Sequence, residues 1–428
     1  MKYITSCFFI LISALILLVI PAMLHASASG GTVTSGKQSE TPQATTSPGL
    51  ALTYRNIGIG LGDVQLVQGL RLNYRDRQLK QVDGINITMH RPDDNINSRI
   101  RGWAIGLPLT GGGNMYGVST ALLGITATET LRGIQLAGIG MGAGGTIRGI
   151  QLAGLGIGAG GTIRGIQLAG IGMGTGDSIK GIQLAGFGLG AGGSIDGITL
   201  TGLGIGSGGH IRGLTFAGLG FGASGPVSGI NIAGFGFGAG GPVKGVNLAG
   251  LGFGSSGSIH GLNITGLGMG ASGSITGISF ALMGIGAGHN ITGLSISGIG
   301  MGAGNQIRGL SLSGIGTGAG NHIRGLHVAG IGFGTQNMTG ATVSLLSLGS
   351  GTAMGLFIAP LRFKMEQEGS LHGVSISAYN HIAGTQHGLT VGLFNYSGNL
   401  RGVQIGILNY AGNNRSGLRL LPLVNANL

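Results

Sequence analysis

Large apolar residues recur along the middle of the chain in steps of two and three. In "IRGIQLAGLGIGAGGT" (147–162) they are Ile147, Ile150, Leu152, Leu155 and Ile157, and the phrase restarts at Ile163. A glycine marks the phase at 133, 149, 165, 181, 197, 213, 229, 245, 261, 277, 293, 309 and 325, always sixteen apart, with Gly117 opening the series less regularly. Counted from that marker, the residue two before is aliphatic, and the residues one, three and six after are large and apolar. The residue eight after is apolar except at Thr317, and the residues seven and nine after are always glycine. Steps of two put side chains on one face of a strand. The three-residue steps, Ile147 to Ile150 and Leu152 to Leu155, flip that parity and read as corners or bulges that re-aim the chain. The pattern predicts short straight segments joined by corners, with every large apolar column turned inward.

That is the coil of an all-β β-solenoid, its sixteen-residue coils stacked about 4.8 Å apart between N- and C-terminal capping segments. Fourteen such coils over 115–337 would make a stack about 65 Å long. Glycine suits the corners, where positive φ or close backbone approach is needed. The alternative is a transmembrane β-barrel with the large residues facing lipid. Membrane strands need about 9–11 residues each, so a sixteen-residue unit cannot supply a hairpin. No thirty-two-residue alternation distinguishes two kinds of turn, and the aromatic girdles of a barrel are missing. Two polar columns accompany the apolar ones. The residue two after the marker is Gln at 135, 151, 167 and 183, Thr at 199 and 215, Asn at 231, 247 and 263, Ser at 279, 295 and 311, and His at 327. Like beside like reads as side-chain ladders on a flat face, or as recent duplication of units.

The flanks divide the rest. Residues 1–28 carry one lysine, a long apolar run and the end Ala26-Ser27-Ala28, the form of a secretory signal peptide. An uncleaved N-terminal anchor is the alternative. Residues 29–50 are Ser/Thr/Gly/Pro-rich and read as a flexible tether. Residues 51–114 are assigned to an N-terminal β cap, 115–337 to the glycine-rich array, 338–372 to an irregular insertion, and 373–428 to C-terminal Asn-type repeats and a cap.

Composition narrows the function classes. Glycine is 98 of 428 residues and charged residues are 8%, which fits neither an ordinary soluble surface nor a charged disordered tail. The net charge of +12 is spread thinly and the aromatic residues are not interleaved with it, against nucleic-acid binding. The one cysteine, Cys7, lies in the signal segment, so the mature chain is expected to have no disulfide and no thiolate metal site.

Asparagine ends the C-terminal strands at 380, 395 and 409, the last two within "GLTVGLFNYSGN" and "GVQIGILNYAGNNRSG". Aligning Gly402 with Gly133 puts Asn409 on Gly140, which suggests Asn standing in for glycine at a left-handed corner, with stacked asparagines bonding along the axis. "GVQIGILNYAG" resembles the units of bacterial cell-surface repeat proteins built from G-[LV]-Q-[IL]-G-[LI]-x-N. "VQGLRLNYRDRQLKQVDGINITMH" (67–90) resembles the entry segment of that family, and "LPLVNANL" its closing one. The resemblance covers 67–90 and 373–428; the array departs from it by replacing Asn with glycine, and the chain ends on Leu428 where the family is often aromatic. It implies secretion and a surface or outer-membrane location, and brings no chemistry with it.

No catalytic, cofactor or metal site is expected, and no small-molecule substrate. "GMGAGG" (140–145) matches a dinucleotide fingerprint only formally, because it recurs through the array with no helix after it. Only Asp177 and Asp196 are acidic within 131–337, too few for paired acid–base work. Glu366 and Glu368 share a strand parity and read as a solvated loop, Asp93-Asp94 as a turn, and His210, His260, His289, His322 and His327 scatter over four columns. One column is more pointed. The residue before the marker is Arg132, Arg148, Arg164, Lys180, Asp196, Arg212, Ser228, Lys244, His260, Thr276, Thr292, Arg308 and Arg324. Its cations Arg132, Arg148, Arg164, Lys180, Arg212, Lys244, Arg308 and Arg324 form either a solubilising edge or a contact line for an anionic envelope component such as lipopolysaccharide or acidic polysaccharide. The expected function is a secreted, non-enzymatic repeat protein with a structural or interaction role at the bacterial envelope, self-association included; the alternative is an outer-membrane barrel, a pore or anchor.

Overall fold

The computed structural model describes residues 49–428 apart from 76, 78, 91–96 and 350. The signal segment, almost all of the tether and the Asp93-Asp94 turn lie outside the described residues.

The described chain is a β-solenoid of about 20 turns. Each array unit supplies a seven- or eight-residue strand and a four-residue strand, as in Ile163–Ala169 and Gly172–Thr175. Each pairs in parallel with its counterpart sixteen residues before and after: Ile163 with Ile147 and Ile179, Gly172 with Gly156 and Gly188. A barrel of hairpins would pair antiparallel, so this register excludes the barrel alternative. Even turn amides bond to the adjacent coil, Gly170 N to Ala153 O at 3.2 Å and Ile171 N to Leu155 O at 2.8 Å.

The marker glycine has one conformation from end to end, φ between +108° and +153° at every coil from Gly102 to Gly402. A Cβ on Gly165 would collide with the Gly149 carbonyl oxygen of the coil beneath. Positive φ and close approach together explain why only glycine stands here.

The inward columns differ from those the apolar pattern predicts. Ile147 (two before the marker) and Ile157 (eight after) are buried, but Ile150, Leu152 and Leu155 (one, three and six after) point outward and are 40%, 39% and 45% exposed. The reason is parity. The strand Ile147–Ala153 alternates without interruption, burying Ile147, Gln151 and Ala153, and the marker glycine occupies an inward position with no side chain. The step from Ile147 to Ile150 is therefore an ordinary change of face and not a corner. Two closely apposed strands leave room for two large columns, the polar column and small Ala or Ser.

Residues 338–372 continue the stack. Their strands pair in parallel with the coils on either side, and the marker recurs at Gly340, Gly355 and Gly373 with coils of unequal length. The C-terminal asparagines are not corner residues. Register carries the column of Phe333 through Ser347 and Phe363 to Asn380, and Asn380, Asn395 and Asn409 are buried. They follow the inward column eight after the marker, and none has positive φ. Stacking of the asparagines does occur: Asn380 Nδ2 donates to Asn395 Oδ1 and Asn395 Nδ2 to Asn409 Oδ1, each at 2.7 Å. Both ends turn antiparallel, Leu50–Tyr54 against Ile57–Leu61 and Leu420–Asn427 against 402–410, which covers the open sheet edges.

Candidate interaction surface

The polar ladder is a core element. Gln135, Gln151, Gln167 and Gln183 are fully buried, and each of the last three donates its amide to the one before, at 2.6, 2.8 and 3.2 Å. Asn231, Asn247 and Asn263 form a second ladder running the other way, Asn231 donating to Asn247 and Asn247 to Asn263, each at 2.9 Å. A buried amide is tolerated because its like neighbour above or below satisfies it. The ladder reading stands, but the ladders lie inside and not on an outer face. In the last array unit His327 is buried in this column, its Nδ1 2.5 Å from Ser311 Oγ, and burial lowers its pKa below the ordinary 6.5. At the N-terminal end buried Arg71 donates to Asn86 Oδ1 at 3.1 Å and lies 3.6 Å from Asp63.

The outer face is the unusual one. All thirteen array units carry large apolar residues at one, three and six after the marker, with no polar exception. The columns include Ile134, Leu136, Phe187 at 55%, Phe216, Phe235 at 55% and Ile315. A shallow apolar groove of about 1180 Å³ runs along the strand edge from Leu107 through Leu136, Leu152, Leu168 and Leu184 to Phe216, floored by glycines. The columns one and three after the marker stand on the long strand and the column six after in the turn beyond it; thirteen coils at about 4.8 Å carry them about 60 Å, with an exposed apolar area at least on the order of 1,000 Å². The largest apolar patch on an ordinary monomer is about 300–600 Å².

The basic column borders this face. Arg132, Arg148, Arg164, Lys180, Arg212, Lys244, Arg308 and Arg324 are all exposed, on the far side of the marker glycine from the first apolar column. The one acid in the line, Asp196, has Lys180 Nζ at 3.7 Å and His210 Nε2 at 2.9 Å. Its charge is engaged within the chain.

His210 brings together a group that column reading missed. Its Nδ1 lies 2.9 Å from Ser194 Oγ while Nε2 faces Asp196, a Ser–His–Asp relay. The signal was present: Ser194 and His210 are sixteen apart and so occupy one column, but histidines compared only with histidines do not reveal it. The backbone amides flanking it are engaged in the stack. Oxyanion stabilisation needs free donors. Here Gly193 N is bonded to Asp177 O, Gly209 N to Gly193 O, Ser194 N to Ser178 Oγ and His210 N to Ser194 Oγ. The arrangement cross-links neighbouring coils.

Glu366 and Glu368 occupy a turn after the strand Arg362–Met365 instead of sharing a strand face, and with Lys364 and His381 they line a shallow polar cleft of about 730 Å³. From this cleft His381, Tyr396 and Tyr410 stack ring on ring at 4.8 and 5.0 Å. Among the described residues no group of three His, Cys, Asp or Glu converges as metal ligands do. What the chain assembles is thus a repeat scaffold with glycine at regular spacing, an apolar outer face and a basic edge. No protein-family model, curated protein or solved structure matches it.

Proposed function

We propose that this chain is a secreted, non-enzymatic surface repeat protein that serves a structural or interaction role at a bacterial cell envelope. The observation that carries the reading is the three-column apolar face, which runs through thirteen units without a polar residue. A face of that size is a contact surface, because water exposure of so much apolar area favours association. The signal-like N-terminus and the resemblance of residues 67–90 and 373–428 to bacterial surface repeat proteins supply the location. The basic edge suits anionic envelope components, lipopolysaccharide or acidic polysaccharide among them. A stack whose coils are held by ladders and backbone bonds offers a rigid rod on which such a face stays flat.

The test is protease accessibility on intact cells of a Gram-negative host expressing the full chain, with fractionation of the envelope. Recovery in the envelope fraction, with cleavage by added protease before lysis, is the expected result. Retention in the cytoplasmic fraction with protection from protease overturns the reading.

A further inference from the structure

We infer that the apolar face docks flat on the leaflet of an anionic phospholipid membrane, with the basic column at the level of the headgroups. The inference rests on the interaction role proposed above and names the occupant of the face.

Three observations select lipid. First, the three columns contain only large apolar side chains, while the backbone beneath them is bonded coil to coil, turns included. A hydrocarbon environment tolerates backbone only when its polar groups are satisfied internally. Second, the cations Arg132, Arg148, Arg164, Lys180, Arg212, Lys244, Arg308 and Arg324 line one border of the face, and their apolar stems allow the charge to reach headgroup phosphates while the neighbouring column is immersed. The only acid in that line is paired with Lys180 and His210. A second copy of the chain would bring another cationic border and no complementary charge. Third, the face is about 60 Å long, twice the roughly 30 Å hydrocarbon thickness, and has no polar interruption. It fits a rod lying along the surface and not one crossing it.

The single tryptophan makes this testable. Register places Trp103 on the first apolar column, in line with Val118 and Ile134, and it is 46% exposed. The full chain is mixed with vesicles of phosphatidylcholine containing 30 mol% phosphatidylglycerol, with pure phosphatidylcholine vesicles, and with vesicles of brominated lipid. Three proteins are compared: wild type, the quadruple variant L136T/L152T/L168T/L184T, and R132Q/R148Q/R164Q/R212Q. All share the N-terminal apolar segment, so its own contribution cancels. The expected result is quenching of Trp103 by brominated chains and cosedimentation that weakens about a hundredfold in the Leu variant. In the Arg variant binding to anionic vesicles falls about fivefold per cation removed, and binding to neutral vesicles is unchanged. Circular dichroism verifies folding; the Arg variant alters only exposed side chains and keeps the test open if the Leu variant unfolds.

Unquenched Trp103 with equal vesicle binding by all three proteins overturns the inference. Stable dimers in lipid-free ultracentrifugation that the Leu variant abolishes, with no vesicle binding, also overturn it but leave the interaction role standing. A wild type that neither binds vesicles nor self-associates defeats both.

Discussion

Ile163 and Ile166 are the same residue three positions apart in one strand, and they separate the observed interior from the one the apolar pattern predicts. Ile163 is fully buried and Ile166 is 39% exposed. Truncating a fully buried isoleucine to alanine removes its transfer free energy and leaves a cavity between coils, about 2–5 kcal/mol in comparable cores. I163A is therefore expected near 3 kcal/mol. Ile166 has no cavity to leave, since its outer side already meets solvent. Losing the buried part of its side chain and some strand preference is worth about 1 kcal/mol. A long stack need not unfold in one step, so a single melting temperature would average over coils. Hydrogen exchange of amides in 147–185, read by mass spectrometry, reports the local opening free energy. The difference of about 2 kcal/mol corresponds to about thirtyfold faster exchange in I163A than in I166A. If both columns faced inward the two variants would exchange alike, and rates within about twofold of each other refute the parity argument.

Three further outcomes follow from the stack. Deleting Ile163–Ser178 removes one coil in phase and should leave a folded, shorter rod, while deleting eight residues sets glycine columns against core columns and should abolish folding; circular dichroism and scattering length decide, and equal loss counts against a stack. Gly158, Gly190 and Gly206, nine after the marker, have ordinary φ and open space where a Cβ would stand, so replacing them with alanine should stabilise the isolated chain by up to about 0.5–1 kcal/mol each, whereas G165A should disrupt its coil; hydrogen exchange reads both. His327 is held neutral by burial, its pKa lowered from 6.5. The unfolded chain takes up this proton near pH 6.5 and the folded chain only at lower pH, so stability is full above 6.5 and falls as the pH drops below it. Proteolysis of 306–343 should accelerate at pH 5 relative to pH 7.5, and H327S, which extends the serine run, should remove that difference.

The period, the parallel stacking and the register were legible in the chain because an unvarying sixteen-residue spacing makes each residue's neighbour above and below its own copy. Which columns face inward was not. Alternation tells which residues share a face, not which face is covered, and here the side with more large side chains is the outer one. Gln151 illustrates the second obstacle. One glutamine among apolar residues reads as a surface position, yet with Gln135 and Gln167 stacked on it the amide is satisfied in the core. Asn409 illustrates a third: spacing from Gly402 set it against a glycine, whereas pairing sets Asn380 of its ladder against Phe363 and moves the asparagines to an inward column. The Ser194–His210–Asp196 group was hidden because its members belong to different residue types in adjacent coils.

Folding and the proposed docking draw on different columns of the same unit. Ile, the polar ladder and Ala on the long strand, with Ile, Met or Phe on the short one, close the interior, and backbone bonds between coils hold it at every step. None of these requires the residues one, three and six after the marker to be apolar, since all of them are partly exposed on the outside. Threonine there would serve a strand as well and would cost less in water. Their uniform apolar character through thirteen units is what motivates the proposal that they work outside the isolated chain. The separation has a consequence for mutagenesis. Substitutions in the Ile163 column should impair coil stability and leave the outer chemistry unchanged. Those in the Leu168 column should leave the coils intact and change what the rod adheres to. The bordering cations follow the second pattern, because Arg148 and Arg164 extend from the surface and contribute nothing to the filling of the core.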